Sequence, residues 1–168
     1  MDKPKLILVC GCSGVGKTTF AKSLANGRGY RYLAPDDFYE LVNGDAKIRT
    51  NRFTVWMTFF SAINAAMEEG QSVVIDTNAL RLNDRDQFLD WFPDFDHHMI
   101  FIDAPYELRS KNNQARDRHV PEDALRRMDD VIEPPRWFGL DRRWLSFVHY
   151  RNNNNALEIV EVEGCYTW

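Results

Sequence analysis

Two consecutive stretches decide the fold of this chain: the apolar run Lys5-Leu6-Ile7-Leu8-Val9-Cys10 and the loop Gly11-Cys12-Ser13-Gly14-Val15-Gly16-Lys17-Thr18. The loop satisfies the pattern G-x-x-x-x-G-K-[ST] at every fixed position. Glycines in such a loop let backbone N–H groups point inward around a phosphate chain. The apolar run predicts a buried strand, and Phe20–Ala25 predicts a helix whose N-terminus faces the same anion. We therefore expect a loop that binds the phosphates of a nucleotide.

Individual residues of this loop have separate expected roles. Lys17 places a point charge on the outer phosphates, and the Thr18 hydroxyl is the expected ligand of Mg²⁺. The loop and first helical residues predicted to bind the nucleotide are Gly11, Ser13, Gly14, Val15, Gly16, Lys17, Thr18 and Thr19.

Length and charge exclude several classes of protein. A chain of 168 residues fits one domain, predicted over residues 1–168. The 21 basic and 25 acidic residues exclude a protein that binds nucleic acid by bulk charge, but they leave room for a local basic site. No apolar run approaches the roughly 20 residues that cross a bilayer, so no membrane contact is expected. The three cysteines lack an evident pairing, which favours reduced thiols in a cytoplasm.

Apolar runs alternate with helical patterns along the rest of the chain. Strands are predicted at 30–33, 72–76, 99–103 and 157–162, and helices between 50 and 70 and at 82–92, 106–112 and 144–148. Residues 133–168 are thus expected to form a C-terminal helical segment and the last strand. This alternation predicts an α/β fold of the P-loop NTPase class, a parallel β-sheet with helices on both faces. Ligands of such sheets bind at the carboxyl ends of the strands, where Asp36, Asp76 and Asp103 fall.

Further motifs narrow the class of P-loop protein. The chain lacks the D-x-x-G and N-K-x-D motifs of a GTPase, and Asp76 is followed by Thr77 rather than by the Glu usual in a motor or transporter ATPase. A small kinase remains, which needs an acid facing the acceptor, a second acid at a strand end, and a basic lid. Asp36 is the expected general base, with helix capping as the alternative, and Asp37 is expected to cap or to orient.

The second acid and the lid have open alternatives. Asp76, with Asn78 behind it, either lies near Mg²⁺ through a water or contacts the acceptor. The lid is predicted at about residues 109–120, because guanidinium groups stabilise the charge of a transferring phosphoryl group. Its candidates are Arg109, Lys111, Arg116 and Arg118, and a solvated basic face is the alternative. His97-His98 lacks a third ligand at metal spacing and is predicted to be an exposed pair before a strand.

In this order the motifs resemble the phage-type polynucleotide 5′-kinase family over roughly residues 5–132. The most specific stretches are Pro35-Asp36-Asp37-Phe38, Val74-Ile75-Asp76-Thr77-Asn78 and Asn113-Gln114-Ala115-Arg116-Asp117-Arg118-His119-Val120-Pro121. The resemblance implies transfer of the ATP γ-phosphate to a hydroxyl, typically the 5′-OH of DNA or RNA.

The resemblance also implies residue roles. Lys17 and Thr18 would hold ATP and Mg²⁺, and Asp36 would be the general base. Arg116, with Arg118 as its neighbour, would contact ATP and clamp the transferring phosphate. The acceptor would be positioned by Asp36, Asp37, Asp76 and Asn78.

One departure from the family leaves the acceptor open. The family often carries an Arg shortly after the general base, where this chain has Phe38-Tyr39-Glu40. The acceptor is therefore expected to be a nucleic-acid end, a hydroxymethylated pyrimidine in DNA, or a nucleoside or other small hydroxylated molecule. A nucleotide-binding module without phosphotransfer is a further alternative.

Overall fold

The phosphate-binding loop joins the central strand of a sheet to the first helix. The computed structural model describes residues 3–165, and in it β1 (Lys5–Cys10) is buried along almost its whole length. The first helix, α1 (Lys17–Arg28), begins after Gly16 and ends at Gly29, which adopts the left-handed conformation common at helix C-termini. The helix thus extends past Ala25, the last residue of the predicted helix.

The remaining elements alternate as expected of an α/β fold. They are β2 (Arg31–Leu33), α2 (Pro35–Asn43), α3 (Arg52–Glu68), β3 (Val73–Asp76), α4 (Leu82–Trp91), β4 (Asp96–Asp103), α5 (Tyr106–Gln114), α6 (Glu122–Val131), β5 (Trp144–Asn153) and β6 (Ala156–Gly164). A single 3-10 turn, Trp137–Gly139, precedes β5. The strand order is β2-β3-β1-β4-β5-β6, and every neighbouring pair is parallel except the β5–β6 hairpin.

Helices cover both faces of this sheet. Side chains alternate between faces along a strand, so Leu6 and Leu8 pack on one side of β1, and Ile7 and Val9 on the other. The first side is covered by residues of α3 and α4, including Phe59, Ile63, Phe88 and Leu89, and the second by Ala21 and Ala25 of α1. The predicted P-loop NTPase fold is confirmed.

The helix predicted at residues 144–148 is wrong, because these residues begin strand β5. Ser146 and Val148 pair with His98 and Ile100 of β4, which places them inside the sheet. A short apolar run does not by itself distinguish a strand from a buried helix, so only the pairing partner settles the choice. Within residues 133–165, the expected helical segment is reduced to the turn at 137–139. Residues 1–2 and 166–168 of the predicted domain lie outside the described residues.

The histidine pair is buried, in contrast to the exposed pair that the sequence predicted. Strand β4 begins at Asp96, so His97 and His98 lie within it and are 4% and 1% exposed. His98 Nδ1 lies 2.8 Å from Ser146 Oγ, and the His97 ring packs edge-on against Trp144. Burial lowers the pKa of both imidazoles to about 4, which keeps them neutral.

None of the helices in residues 3–165 is long and apolar enough to cross a lipid bilayer.

Candidate active site

A cavity of about 1320 Å³ opens at the carboxyl ends of the strands. It lies where ligands bind in sheets of this class. The cavity brings together nine of the predicted site residues: Ser13, Lys17, Thr18, Asp36, Asp37, Asp76, Asn78, Arg116 and Arg118. The other predicted residues, Gly11, Gly14, Val15, Gly16 and Thr19, lie in the loop or on α1 and do not line it.

The glycine loop forms a cradle that side chains would obstruct. Gly14 and Gly16 have φ angles of 85° and 101°, a region that residues with a Cβ rarely adopt. A Cβ on Gly14 would lie 2.5 Å from the Arg109 carbonyl oxygen of α5. The N–H of Gly11 donates to the Asn78 carbonyl oxygen at 3.0 Å, so Gly11 shapes the loop while its amide is already engaged. The Ser13 N–H is also engaged, donating to Met128 Sδ at 3.4 Å, so a phosphate chain would be bound by the loop amides that follow Ser13.

Lys17 is held beneath this cradle. Its side chain is 7% exposed, and its Nζ donates to the Cys12 carbonyl oxygen at 2.8 Å and to Asn78 Oδ1 at 3.1 Å. Burial lowers the pKa of Lys17, and the positive charge of Arg116 contributes to the same shift, whereas Asp76 opposes it. The Lys17 ammonium group is both desolvated and repelled by a second cation, Arg116. An anion that enters the cavity would therefore stabilise its charged form.

Thr18 and Asp76 form a pair of oxygen ligands at the end of β3. Thr18 Oγ1 donates to Asp76 Oδ2 at 2.6 Å, and the Tyr32 hydroxyl donates to the same oxygen at 3.0 Å. Burial and the Asp76 carboxylate raise the pKa of Tyr32, so this phenol stays protonated and keeps its donor role. Residues 3–165 contain no cluster of three or more His, Cys, Asp or Glu able to hold a metal. A hydroxyl paired with a carboxylate suits Mg²⁺, which takes few protein oxygens and completes its shell with phosphates and water.

Asp36 and Asp37 occupy the first turn of α2. The N-cap residue is Ala34 and no side chain caps the helix, so the capping role considered for both aspartates is not observed. Asp36 Oδ1 lies 3.3 Å from Arg118 Nη2 of the lid and 2.8 Å from Arg49 Nη2. Partial burial raises the pKa of Asp37, and the nearby Asp36 carboxylate adds to the rise.

The lid is shorter than predicted. Helix α5 continues to Gln114, and the non-helical segment that lines the cavity includes Arg116 and Arg118. Arg109 is 2% exposed on α5 and pairs with Asp129 of α6, so its assignment to the lid is wrong. Lys111 is exposed on α5 outside the cavity. The lid cations facing the cavity are therefore the two arginines of the loop.

One buried side-chain amide, that of Asn113, joins the two ends of the lid. Asn113 is 3% exposed, and its Nδ2 donates to the Val120 carbonyl oxygen at 2.8 Å. The Val120 N–H donates back to Asn113 Oδ1 at 2.9 Å, and His119 Nδ1 lies 2.8 Å from the Asn113 carbonyl oxygen. These contacts close the loop between α5 and α6, which holds Arg116 and Arg118 over the cavity.

Arg49 is a residue that the sequence analysis missed. It lies between α2 and α3, pairs with Asp36, and places its guanidinium 4.3 Å from the centre of the Tyr39 ring. Lys47 and Arg52 line the same side of the cavity. This side of the cavity is therefore positively charged, although residues 38–40 contain no arginine or lysine. The basic residues at 47–52 were the available signal, but their polar segment has no periodicity that predicts which way they face.

The far end of the cavity is aromatic. Its wall includes Trp56 and Phe60 of α3 and Phe88 and Trp91 of α4. The Phe60 and Trp91 rings contact each other with centroids 4.7 Å apart, and Trp91 is 46% exposed. Trp91 is the exposed ring of this wall, and an exposed aromatic face of this kind can stack on a nucleic-acid base.

Comparisons with known proteins identify the family of this chain. The family model described as an AAA domain (AAA_33) matches residues 6–135. The chain is 26% identical over 141 residues to the L-seryl-tRNA(Sec) kinase of Methanococcus maripaludis, which covers 77% of this chain and 53% of that protein. It thus spans about half the length of this curated relative.

Solved structures share the fold. A gluconokinase from Sinorhizobium meliloti 1021 has a TM-score of 0.61 at 20% identity, covering 90% of this chain and 84% of that one. A chain of the Pnkp1/Rnl/Hen1 RNA repair complex has a TM-score of 0.71 at 19% identity, covering 78% of this chain and 44% of that one. Since the family model matches well over half of the sequence, the chain belongs to the AAA domain family.

Proposed function

We propose that this protein transfers the γ-phosphate of ATP to a hydroxyl of a nucleic acid, with the 5′-OH of DNA or RNA as the acceptor. One observation carries the proposal: Asp36 lies in one cavity with Lys17, between a lid guanidinium and the basic side of that cavity. A carboxylate in this place can accept a hydroxyl proton while cations hold the phosphates on either side.

The donor half of the reaction uses the glycine cradle. The backbone amides of the loop and the Lys17 ammonium group would bind the ATP phosphates, and Thr18 with Asp76 would hold Mg²⁺. Bound there, the metal supplies positive charge to the phosphoryl oxygens. Arg116 would add a guanidinium over the transferring group, where charge spreads in the transition state.

The acceptor half uses the opposite side of the cavity. Asp36 would remove the proton of the attacking hydroxyl, and Asp37 would help orient the acceptor. Arg49 is held by Asp36 and Tyr39 and would contact an acceptor phosphate, with Lys47 and Arg52 nearby. The aromatic wall would stack on a base. This local basic side supports a nucleic-acid acceptor even though the net charge of the chain is −4.

The proposal is tested by an acceptor panel incubated with γ-labelled ATP and Mg²⁺. The panel contains 5′-hydroxyl DNA and RNA oligonucleotides, DNA with hydroxymethylated pyrimidines, free nucleosides and gluconate. We expect label at the 5′ ends of the oligonucleotides. Label on a nucleoside or gluconate with none on any polymer would select a small-molecule kinase, and label on the hydroxymethylated base would select that alternative. ATP binding without transfer to any acceptor would favour a nucleotide-binding module. The cytoplasmic location stays a prediction from the cysteines.

A further inference from the structure

The β5–β6 hairpin reaches the phosphate-binding loop. Asn152, at the end of β5, is 3% exposed, and its Nδ2 donates to the Val15 carbonyl oxygen at 2.7 Å. The same Nδ2 would lie 3.1 Å from a Cβ built on Gly16. The Asn152 amide is therefore buried directly against the backbone of the loop, although the two lie 137 residues apart in the sequence.

A second amide holds the preceding carbonyl. Asn112 of α5 donates through its Nδ2 to the Gly14 carbonyl oxygen at 2.8 Å and contacts Asn155 Oδ1 of the hairpin turn at 3.2 Å. Two successive carbonyl groups of the loop are thus bound from outside by asparagine side chains. The hairpin turn is linked to both of them.

These contacts fix the direction of the loop amides. In a trans peptide the carbonyl of one residue and the N–H of the next point to opposite sides, and residues 3–165 contain no cis peptide. Holding the carbonyls of Gly14 and Val15 outward turns the N–H groups of Val15 and Gly16 inward. Within residues 3–165, neither of these N–H groups has a hydrogen-bond acceptor. They remain available to a phosphate, which an inward-facing carbonyl would repel.

We propose that Asn112 and Asn152 are positioning residues that hold the phosphate cradle open for ATP, and that the C-terminal hairpin is therefore part of the nucleotide site. The inference rests on the proposed function, because it takes ATP as the occupant of the loop. Because coupling between two sites is reciprocal, bound nucleotide must also stabilise the hairpin turn.

The test measures ATP binding and turnover in Asn112→Ala and Asn152→Ala. Asn153→Ala is the matched control, because Asn153 lies in the same hairpin but donates to Glu158 at 2.9 Å instead of to the loop. We expect the Kd for Mg²⁺-ATP to rise about tenfold in each of the first two variants, equivalent to about 1.4 kcal/mol, and to stay within about twofold in the control. The acceptor KM should not change in any of the three variants. A general loss of structure would instead weaken acceptor binding as well as ATP binding.

A second measurement needs no variant. Hydrogen exchange of the wild-type protein should slow at residues 152–155 when Mg²⁺-ATP is added, and this slowing should be lost in Asn112→Ala. Wild-type affinity in both variants, or unchanged exchange of the turn on ATP binding, would overturn the inference and leave the proposed function intact. A wild-type protein that binds no ATP would overturn both.

Discussion

The variant Arg49→Ala distinguishes a role in binding the acceptor from a role in stabilising the fold. The Arg49 and Asp36 side chains are 44% and 60% exposed, and exposed ion pairs contribute about 0–1 kcal/mol to stability. The contact of Arg49 with the Tyr39 ring adds about 0.5–1 kcal/mol at an exposed site. The free energy of unfolding of Arg49→Ala should therefore fall by no more than about 2 kcal/mol.

The expected effect on the reaction is larger. A hydrogen bond from a guanidinium to an acceptor phosphate contributes about 1.5–3 kcal/mol, so kcat/KM for a 5′-hydroxyl oligonucleotide should fall about 10- to 150-fold. The loss should appear mainly in the acceptor KM, because this contact exists before the transition state. The Kd for ATP should not change, since the contacts of Arg49 are with Asp36 and Tyr39 of α2.

The assay is steady-state transfer of labelled phosphate to an oligonucleotide and to a nucleoside without phosphate. Arg143→Ala is the matched control, because Arg143 is 50% exposed and pairs with Asp90 and Asp141 away from the cavity. An oligonucleotide KM equal to that of the wild type, or an equal loss with the nucleoside, would refute the assignment of Arg49 to an acceptor phosphate.

Three further predictions concern the donor site and the core. Lys17→Ala should lose ATP binding and transfer by orders of magnitude while its circular dichroism spectrum is retained, and near-wild-type binding would contradict the cradle. Arg116→Ala should lower turnover about 10²- to 10³-fold with little change in ATP affinity, and unchanged turnover would remove it from the reaction. Because burial lowers the pKa of His97 and His98 to about 4, the unfolded chain takes up their protons first as the pH falls through about 6.5. The free energy of unfolding should drop by about 2 kcal/mol for each histidine between pH 7 and 5 in urea titrations, and His98→Gln should remove about half of this dependence.

The sequence predicts the parts of this site that depend on local pattern. The loop from Gly11 to Thr18 needs a strand before it and a helix after it, and both are encoded in neighbouring residues. Asp76 is the last residue of β3, and Asp36 lies in the first turn of the helix that follows β2, so a parallel sheet places both at one edge. Spacing and strand order were enough to bring these side chains into one cavity.

The parts that the sequence does not predict depend on contacts between distant segments. Asn152 begins a run of four asparagines, and nothing near it in sequence indicates a hydrogen bond to Val15. Strand β5 is recognised only by its pairing with β4. Arg109 is a basic residue in a polar stretch, but the carboxylate that buries it belongs to the next helix. In each case the role of the residue or strand depends on a contact with a segment distant in sequence, and a single sequence does not indicate which segments come into contact.

The most direct test of the proposed reaction compares the wild-type protein with Asp36→Asn in a single turnover with Mg²⁺, γ-labelled ATP and a 5′-hydroxyl oligonucleotide. Asp36 is 60% exposed, so the variant should fold and bind ATP normally. If Asp36 accepts the hydroxyl proton, transfer should slow about 10²- to 10⁴-fold at saturating substrates. Transfer at the wild-type rate would contradict the proposed mechanism.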